Sequence, residues 1–304
     1  MGITNFDVVK ANLFLGASPT FTTGNTFFVD SGIGSDGNNG TSPSSPFATI
    51  DYAIGRCTAS NGDVIVVAPG HSETITGTDI TLDVAGITII GLGKGSLMPR
   101  IHFNHANAEI SVAADNCTID GLRFSADVTA VAIGIEIEDG VDYTTVRNCV
   151  FDVVATGTDE FNASIHMVND NTGTLIDRNY FNMGLGGAVA AIHMDADTAE
   201  TVIRNNIVFG DYSTACIVGD TTLSTNILIE DNLLVQGIGG NIGTEPGIEL
   251  LTGTTGIIRR NDIVCNLATK AASIVADTCF LFENYYNEDV AGTGGLIGTA
   301  SADD

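Results

Sequence analysis

A short alternation of apolar and polar residues returns seven times in the last two-thirds of the chain, once every 23 to 30 residues. Its form is an apolar anchor, a charged residue, any residue, Asn or a stand-in, then an aromatic or aliphatic residue. The copies begin at Ile119, Val146, Ile176, Ile203, Ile229, Ile258 and Leu281, and the third reads Ile176-Asp177-Arg178-Asn179-Tyr180-Phe181. A second series of alternating runs, centred on Ile110, Ile135, Ile165, Ile192, Ile217, Ile248 and Ile274, precedes the first by 7 to 12 residues. Period-two alternation in runs rich in Ile and Val, bounded by Gly, Asp, Asn and Thr, predicts half-buried strands. A fixed period of this length predicts stacked repeats, each touching only its neighbours.

No helical pattern of useful length lies between the strands, which excludes a βαβ fold. The predicted coil is strand, turn, strand, turn and loop, with the variable stretches 153–163 and 234–247 absorbing the length differences. Ile80 and Ile89 supply an earlier coil, and residues 63–67 an opening strand. Eight or nine coils at a strand spacing of about 4.8 Å give a rod about 40 Å long. From about Phe27 to Tyr286 these repeats resemble the right-handed parallel β-helix proteins of the pectate-lyase-like superfamily. The resemblance implies an all-β, right-handed β-solenoid, and the hand comes from it, not from the spacing.

Two stacked rows follow from in-register coils. Asn179, Asn206, Asn232, Asn261 and Asn284 share one place, where side-chain amides can bond up and down the stack and satisfy turn backbone. After each anchor the charge alternates in sign: Asp120, Arg147, Asp177, Arg204, Glu230, Arg259. Stacking sets each beside its opposite, which predicts an exposed ion-pair ladder that fixes register. The resembled superfamily implies an alternative, because its lyases use a carboxylate-bound calcium with an Arg base and its polygalacturonases use clustered Asp residues. On that reading Asp177, Arg204 and Glu230 are the catalytic candidates. A row that neutralises itself does not look like either site.

The ends differ from the repeat. Ser44-Ser45-Pro46, followed by Phe47, Ile50, Ala53 and Ile54, predicts the start of an N-terminal capping helix. With the strand at 27–30 and the Gly/Asn/Asp loop at 32–40, it makes a capping module over residues 27–62, and the whole looks like the opening module of many β-helix repeat proteins. The predicted organisation is an arm at 1–26, the module at 27–62, the solenoid at 63–286 and a flexible tail or partner-docking strand at 287–304. Residues 1–10 lack the basic start and unbroken apolar core of a signal peptide, and Phe6 stands where myristoylation wants Ser or Thr. This start is similar to the N-terminal arms of some tailed-phage virion proteins.

Composition narrows the partners. Eleven Lys plus Arg against 37 Asp plus Glu give a formal charge of −26. Such a surface repels nucleic acid and anionic membranes, and no stretch is apolar enough to span a bilayer. Cys57, Cys117, Cys149, Cys216, Cys265 and Cys279 show no paired spacing and are expected as free, packed thiols, consistent with folding in a cytoplasm. The chain has no Trp and six Tyr, which argues against a sugar groove; if one exists, it lies at the loops 152–162 and 237–244.

Two places carry metal-ligating residues. His166 and His193 occupy the same place in adjacent coils, with Glu136 one coil before. The loop at 30–40, with Asp30 and Asp36, has the composition of a calcium loop but not the EF-hand spacing, and tight capping loops need the same residues. The expectation is no cofactor, with calcium at the 30–40 loop as the alternative. The expectation that follows is a non-enzymatic virion protein of a tailed phage, made in the host cytoplasm. It would be a capsid decoration or fibre-like component, docked on a capsid or other virion protein and compatible with a homotrimer. The alternatives are a polysaccharide lyase or hydrolase, or a carbohydrate-binding adhesin, with a surface glycan as partner.

Overall fold

The computed structural model describes residues 22–78, 80–153, 159–184, 187–238, 241–242, 244–265, 267, 270–287 and 295–297. They form a parallel β-solenoid of about eight turns with three sheets. Sheet I has ten strands, from Thr26–Val29 through Val64–Val67, Thr88–Gly91 and Thr118–Asp120 to Phe280–Phe282. Sheet II has eleven, beginning at Ser72–Ile75, and sheet III has eight, from Ile80–Leu82 to Ile274–Val275. Among the described strands, all pairings are parallel except those of Asn241–Ile242 and Gly295–Ile297, which add antiparallel strands to sheet II.

Each coil therefore carries three strands, where the sequence suggested two. The repeated phrase is itself two strands joined by a sharp corner: Leu175–Asp177 belongs to sheet I and Tyr180–Asn182 to sheet II. The residue after the charged position turns the corner at positive φ in all seven copies: Gly121, Asn148, Arg178, Asn205, Asp231, Arg260 and Glu283 lie between 52° and 76°. This left-handed conformation costs a non-glycine residue roughly 1–2 kcal/mol, so something at each corner must offset it.

Inward-facing positions form continuous columns. Ile119, Val146, Ile176, Ile203, Ile229 and Ile258 stack in register in sheet I, each nearly fully buried. In sheet II, Phe124, Phe151 and Phe181 stack, with ring centroids 4.9 and 4.8 Å apart. Burying each such ring stabilises the fold by about 2–3 kcal/mol. Sheet III turns Ile165 with Met167, and Ile192 with Met194, into the same core.

The first end is closed by a five-residue helix, Ile50–Ile54, whose Ile50, Ala53 and Ile54 are buried. Thr49 caps it, so the helix starts four residues later than Ser44-Ser45-Pro46 suggested. Pro46 and Phe47 are held extended instead. The Pro46 carbonyl accepts bonds from Ser35 N and Asn38 Nδ2, and Phe47 N donates to the Phe28 carbonyl. Asp51 Oδ1 accepts from Thr81 N at 3.2 Å, which ties the helix to the first strand of sheet III. Asp63 fastens the same end: it accepts from Asn25 N, Thr58 N and Asn61 Nδ2 at 2.6 to 2.7 Å. Burial pushes its carboxyl up, but these donors outweigh burial and hold it below its ordinary value.

At the other end, Gly295–Ile297 pairs with Asn284–Asn287, so part of the expected tail is a strand on the chain's own sheet. The last strand of sheet I leaves Phe280 and Phe282 exposed, at 68% and 46%. Residues 1–21, which include the phage-like start, lie outside the described residues, as do parts of the loops 152–162 and 237–244, where a sugar groove would lie if the chain had one. Among the described residues no helix is long and apolar enough to cross a membrane.

Candidate functional site

The corners explain the asparagines. Asn232 Oδ1 accepts from the backbone N and the Nδ2 of Asn206 at 2.9 and 3.0 Å. Its own Nδ2 donates to Asn261 Oδ1 and to the Ile203 carbonyl. The same pattern links Asn179 to Asn206 and Asn261 to Asn284, and all five side chains are buried. Each amide thus satisfies the backbone of a left-handed corner and holds the next coil in place. Cys149 occupies the same position one coil earlier, and its N–H donates to Asn179 Oδ1.

The charged row is joined in ion pairs. Arg147 meets Asp120 at 2.9 Å, Arg204 meets Asp177 at 3.3 Å and Arg259 meets Glu230 at 2.7 Å. Corner residues add to it: Arg178 reaches Asp177 at 3.0 Å, and Arg260 bonds both Glu230 and Asp231. The row is not an exposed ladder on its acidic side. The Asp177 side chain is only 2% exposed and that of Glu230 9%, because the arginines fold over them. Arg260 draws the Asp231 carboxyl below its ordinary value. The alternative catalytic trio is split by this pairing: Arg204 lies against Asp177, while Glu230 is engaged by Arg259 and Arg260.

The loop aspartates serve the cap. Asp30 Oδ1 accepts from Gly32 N at 2.7 Å and Asp36 Oδ1 from Ala48 N at 2.9 Å. Gly40, at φ +68°, lies so close to Phe47 that a Cβ would fall 2.1 Å from its ring. Both carboxylates are thus engaged with backbone inside a tightly closed loop.

The outer face of sheet III is less uniform. Register places Ser111, Glu136, His166, His193, Val218 and Glu249 in one row that faces away from the main core, with Ser111 and Val218 themselves buried. The two imidazoles have centroids 5.2 Å apart. His166 Nδ1 faces Glu136 Oε2 at 3.3 Å and its Nε2 faces Asp195 Oδ2 at 3.8 Å. His193 Nε2 lies 2.9 Å from Asp220 Oδ1. One nitrogen of His193 and one oxygen each of Asp195 and Asp220 lie within 4.8 Å of one another, the one such group of three or more among the described residues. Burial, then the Asp220 charge, raises the Glu249 carboxyl above its ordinary value.

The histidines were legible in the sequence as a pair, but their strongest partners were not. Asp195 and Asp220 sit just past strand ends, in segments without a repeat. Glu249 was findable, since Ile248-Glu249-Leu250 follows the template of Ile165-His166-Met167. A second cluster was also missed. On sheet II, Asp152 is bonded by Arg123 and by Ser125 Oγ, and His102 pairs with Asp127 at 2.8 Å. His71 is buried, with its Nε2 3.1 Å from Glu73 Oε2.

None of the six cysteines is in a disulfide, and burial is the main cause that pushes the Cys57 and Cys149 thiols up to about 12 and Cys279 to about 11. Thiolate chemistry at neutral pH is thereby disfavoured at these three.

Comparison with known proteins adds little chemistry. No curated protein matches the chain. Among solved structures it is similar to a GH136 lacto-N-biosidase from Eubacterium ramulus, solved as a selenomethionine derivative. The identity is 12% and the TM-score 0.36, over 87% of this chain and 67% of that one, and a likeness of that size carries no argument. A family model described as a protein of unknown function, DUF1565, matches residues 32–279, and the chain belongs to that family.

Proposed function

We propose that the protein is a non-enzymatic structural component of a tailed-phage virion, a capsid decoration or fibre-like surface protein. One observation carries the structural part of this reading. The charged row pairs every second step between coils, and the asparagine stack bonds each coil from Asn179 to Asn284 to the next, so polar groups that repeat are consumed in holding a rod together. Such a rod suits a spacer or a shell attachment. The exposed Phe280, Phe282 and Tyr285 of the last coil offer an apolar end for a capsid protein or a second copy. The net charge of −26 favours solubility and disfavours contact with nucleic acid. The phage assignment rests on the likeness of residues 1–10 to virion arms.

Quantitative mass spectrometry of purified particles from the source lysate tests this reading. Hundreds of copies per particle are expected for a decoration protein, and a few trimers' worth for a fibre. Absence from particles would overturn it. The second reading, a glycan-acting or glycan-binding protein, is favoured by the raised Glu249 carboxyl beside Asp220 on an imidazole-bearing face. A glycan array with positive binding that is lost in Glu249→Gln would bring that reading forward.

A further inference from the structure

We propose that His193, Asp195 and Asp220 form a binding site for a divalent first-row transition-metal ion, with His166 as a fourth donor. The inference stands apart from the virion reading. It rests on a mixed donor set held by rigid backbone.

The geometry fits a metal. The three donor atoms lie within 4.8 Å of one another, and His193 Nε2 and Asp220 Oδ1 are 2.9 Å apart. Donors about 2.0–2.2 Å from a common ion stand roughly 3–4 Å from one another, so only a small inward shift of the third donor is needed. His166 Nε2 approaches the same Asp195 carboxylate at 3.8 Å. The two imidazoles come from neighbouring in-register strands, whose Ile192 and Met194, and Ile165 and Met167, are anchored in the core.

The carboxylates are positioned as well. Asp195 N donates to the Met167 carbonyl at 2.8 Å, which fixes the chain just after His193. Thr221 N and Thr222 N both donate to the Asp195 carbonyl, at 3.2 and 3.3 Å, so the turn carrying Asp220 is tied to the turn carrying Asp195. Thr221 Oγ1 donates to Asp195 Oδ1, which leaves Oδ2 facing the His166 imidazole. The ligand-bearing backbone is therefore preorganised across two coils.

The donor chemistry selects the class of ion. Two imidazoles with two carboxylates suit Zn²⁺, Co²⁺ or Ni²⁺, whereas Ca²⁺ and Mg²⁺ prefer all-oxygen shells. Glu136 and Glu249 on the same face add negative charge that favours a cation.

The test uses the purified full-length chain stripped with EDTA, with Zn²⁺ and Co²⁺ as probes in calorimetry and ¹⁵N NMR of the histidine side chains. One equivalent of Zn²⁺ is expected to bind, with the ring-nitrogen signals of His193 and His166 shifting together. Asp195→Asn with Asp220→Asn should weaken binding by on the order of 100-fold, and Glu249→Gln by less than about tenfold. The expected ion order is Zn²⁺ and Co²⁺ well above Ca²⁺. Stoichiometric binding that survives in the double variant would overturn the proposal, as would no Zn²⁺ binding by the wild-type chain. If the double variant fails to fold, the histidine signals of the wild type decide alone: no Zn²⁺-dependent shift at His193 sinks the site.

Discussion

Asn206, Asn232 and Asn261 each sit in a corner where both ends of the amide are used, each end by backbone and by a neighbouring asparagine. His166 and His193 are also in register on neighbouring coils, yet they face different partners: Glu136 and Asp195 for one, Asp220 for the other. The asparagine stack repeats because every coil presents the same unsatisfied corner. The row on sheet III does not repeat, since Ser111, Glu136, His166, His193, Val218 and Glu249 meet no common backbone need. In a solenoid, a position that is identical in each coil answers to the stack, and one that changes from coil to coil is free to answer to a ligand.

The largest effect should come from breaking the stack. Asn232→Ala leaves the backbone N and Nδ2 of Asn206, the Ile203 carbonyl and Asn261 Oδ1 short of a partner in a buried place. At roughly 1–3 kcal/mol for each buried group left unmade, with some relaxation, the loss should be about 4 kcal/mol. Urea unfolding monitored by circular dichroism measures it, and a loss under about 1 kcal/mol would mean that water replaces the amide.

Asp63 should come next, because it does once, at the cap, what the asparagines do repeatedly. Asp63→Asn puts an amide where three donors converge, and should destabilise by about 2–3 kcal/mol at neutral pH. Its pH dependence has a definite sign. The folded carboxyl lies below its ordinary value, so its stabilisation is present above the unfolded pKa of about 3.9 and is lost as pH falls through the folded value. The gap between wild type and variant should therefore close in acid. Thermal melts between neutral pH and acid test this, and a gap independent of pH would refute the charge argument.

The charged row lies between the two regions, and it shows where sequence reasoning stops. Alternation of sign was readable from Asp120, Arg147, Asp177, Arg204, Glu230 and Arg259, because in-register stacking needs nothing beyond the period. That the acids are buried was not readable, since it depends on Arg178 and Arg260 turning back from left-handed corners. The third strand of each coil was hidden for a related reason. The corner takes so few residues that Ile176-Asp177 and Tyr180-Phe181 read as one phrase. Asp195 and Asp220 escaped because they lie in turns of variable length, where only the coordinates show which carboxylates meet His193. Asp177→Ala consequently should cost about 1–2 kcal/mol, more than an exposed pair would, through loss of Arg178, Arg204 and Asn205 contacts. A change within about 0.3 kcal/mol would restore the exposed-ladder picture.

The smallest effect should lie on sheet III, and its sign is opposite. Glu249 is partly buried and near Asp220, and its carboxyl is raised, so the folded state favours the protonated form. The wild-type chain therefore carries a penalty that is fully present above the folded pKa. The penalty disappears as pH falls below the unfolded value of about 4.3. Glu249→Gln removes the charge while keeping the shape. In metal-free protein at neutral pH it should stabilise by a few tenths of a kcal/mol, solvent screening keeping the gain small, and the two chains should converge in acid. Paired melts in EDTA at neutral and acidic pH resolve this. A variant less stable than wild type at neutral pH would mean that Glu249 is held by bonds of the kind that hold the asparagines. The outer face of sheet III would then belong with the stack, and not with the positions left free to bind.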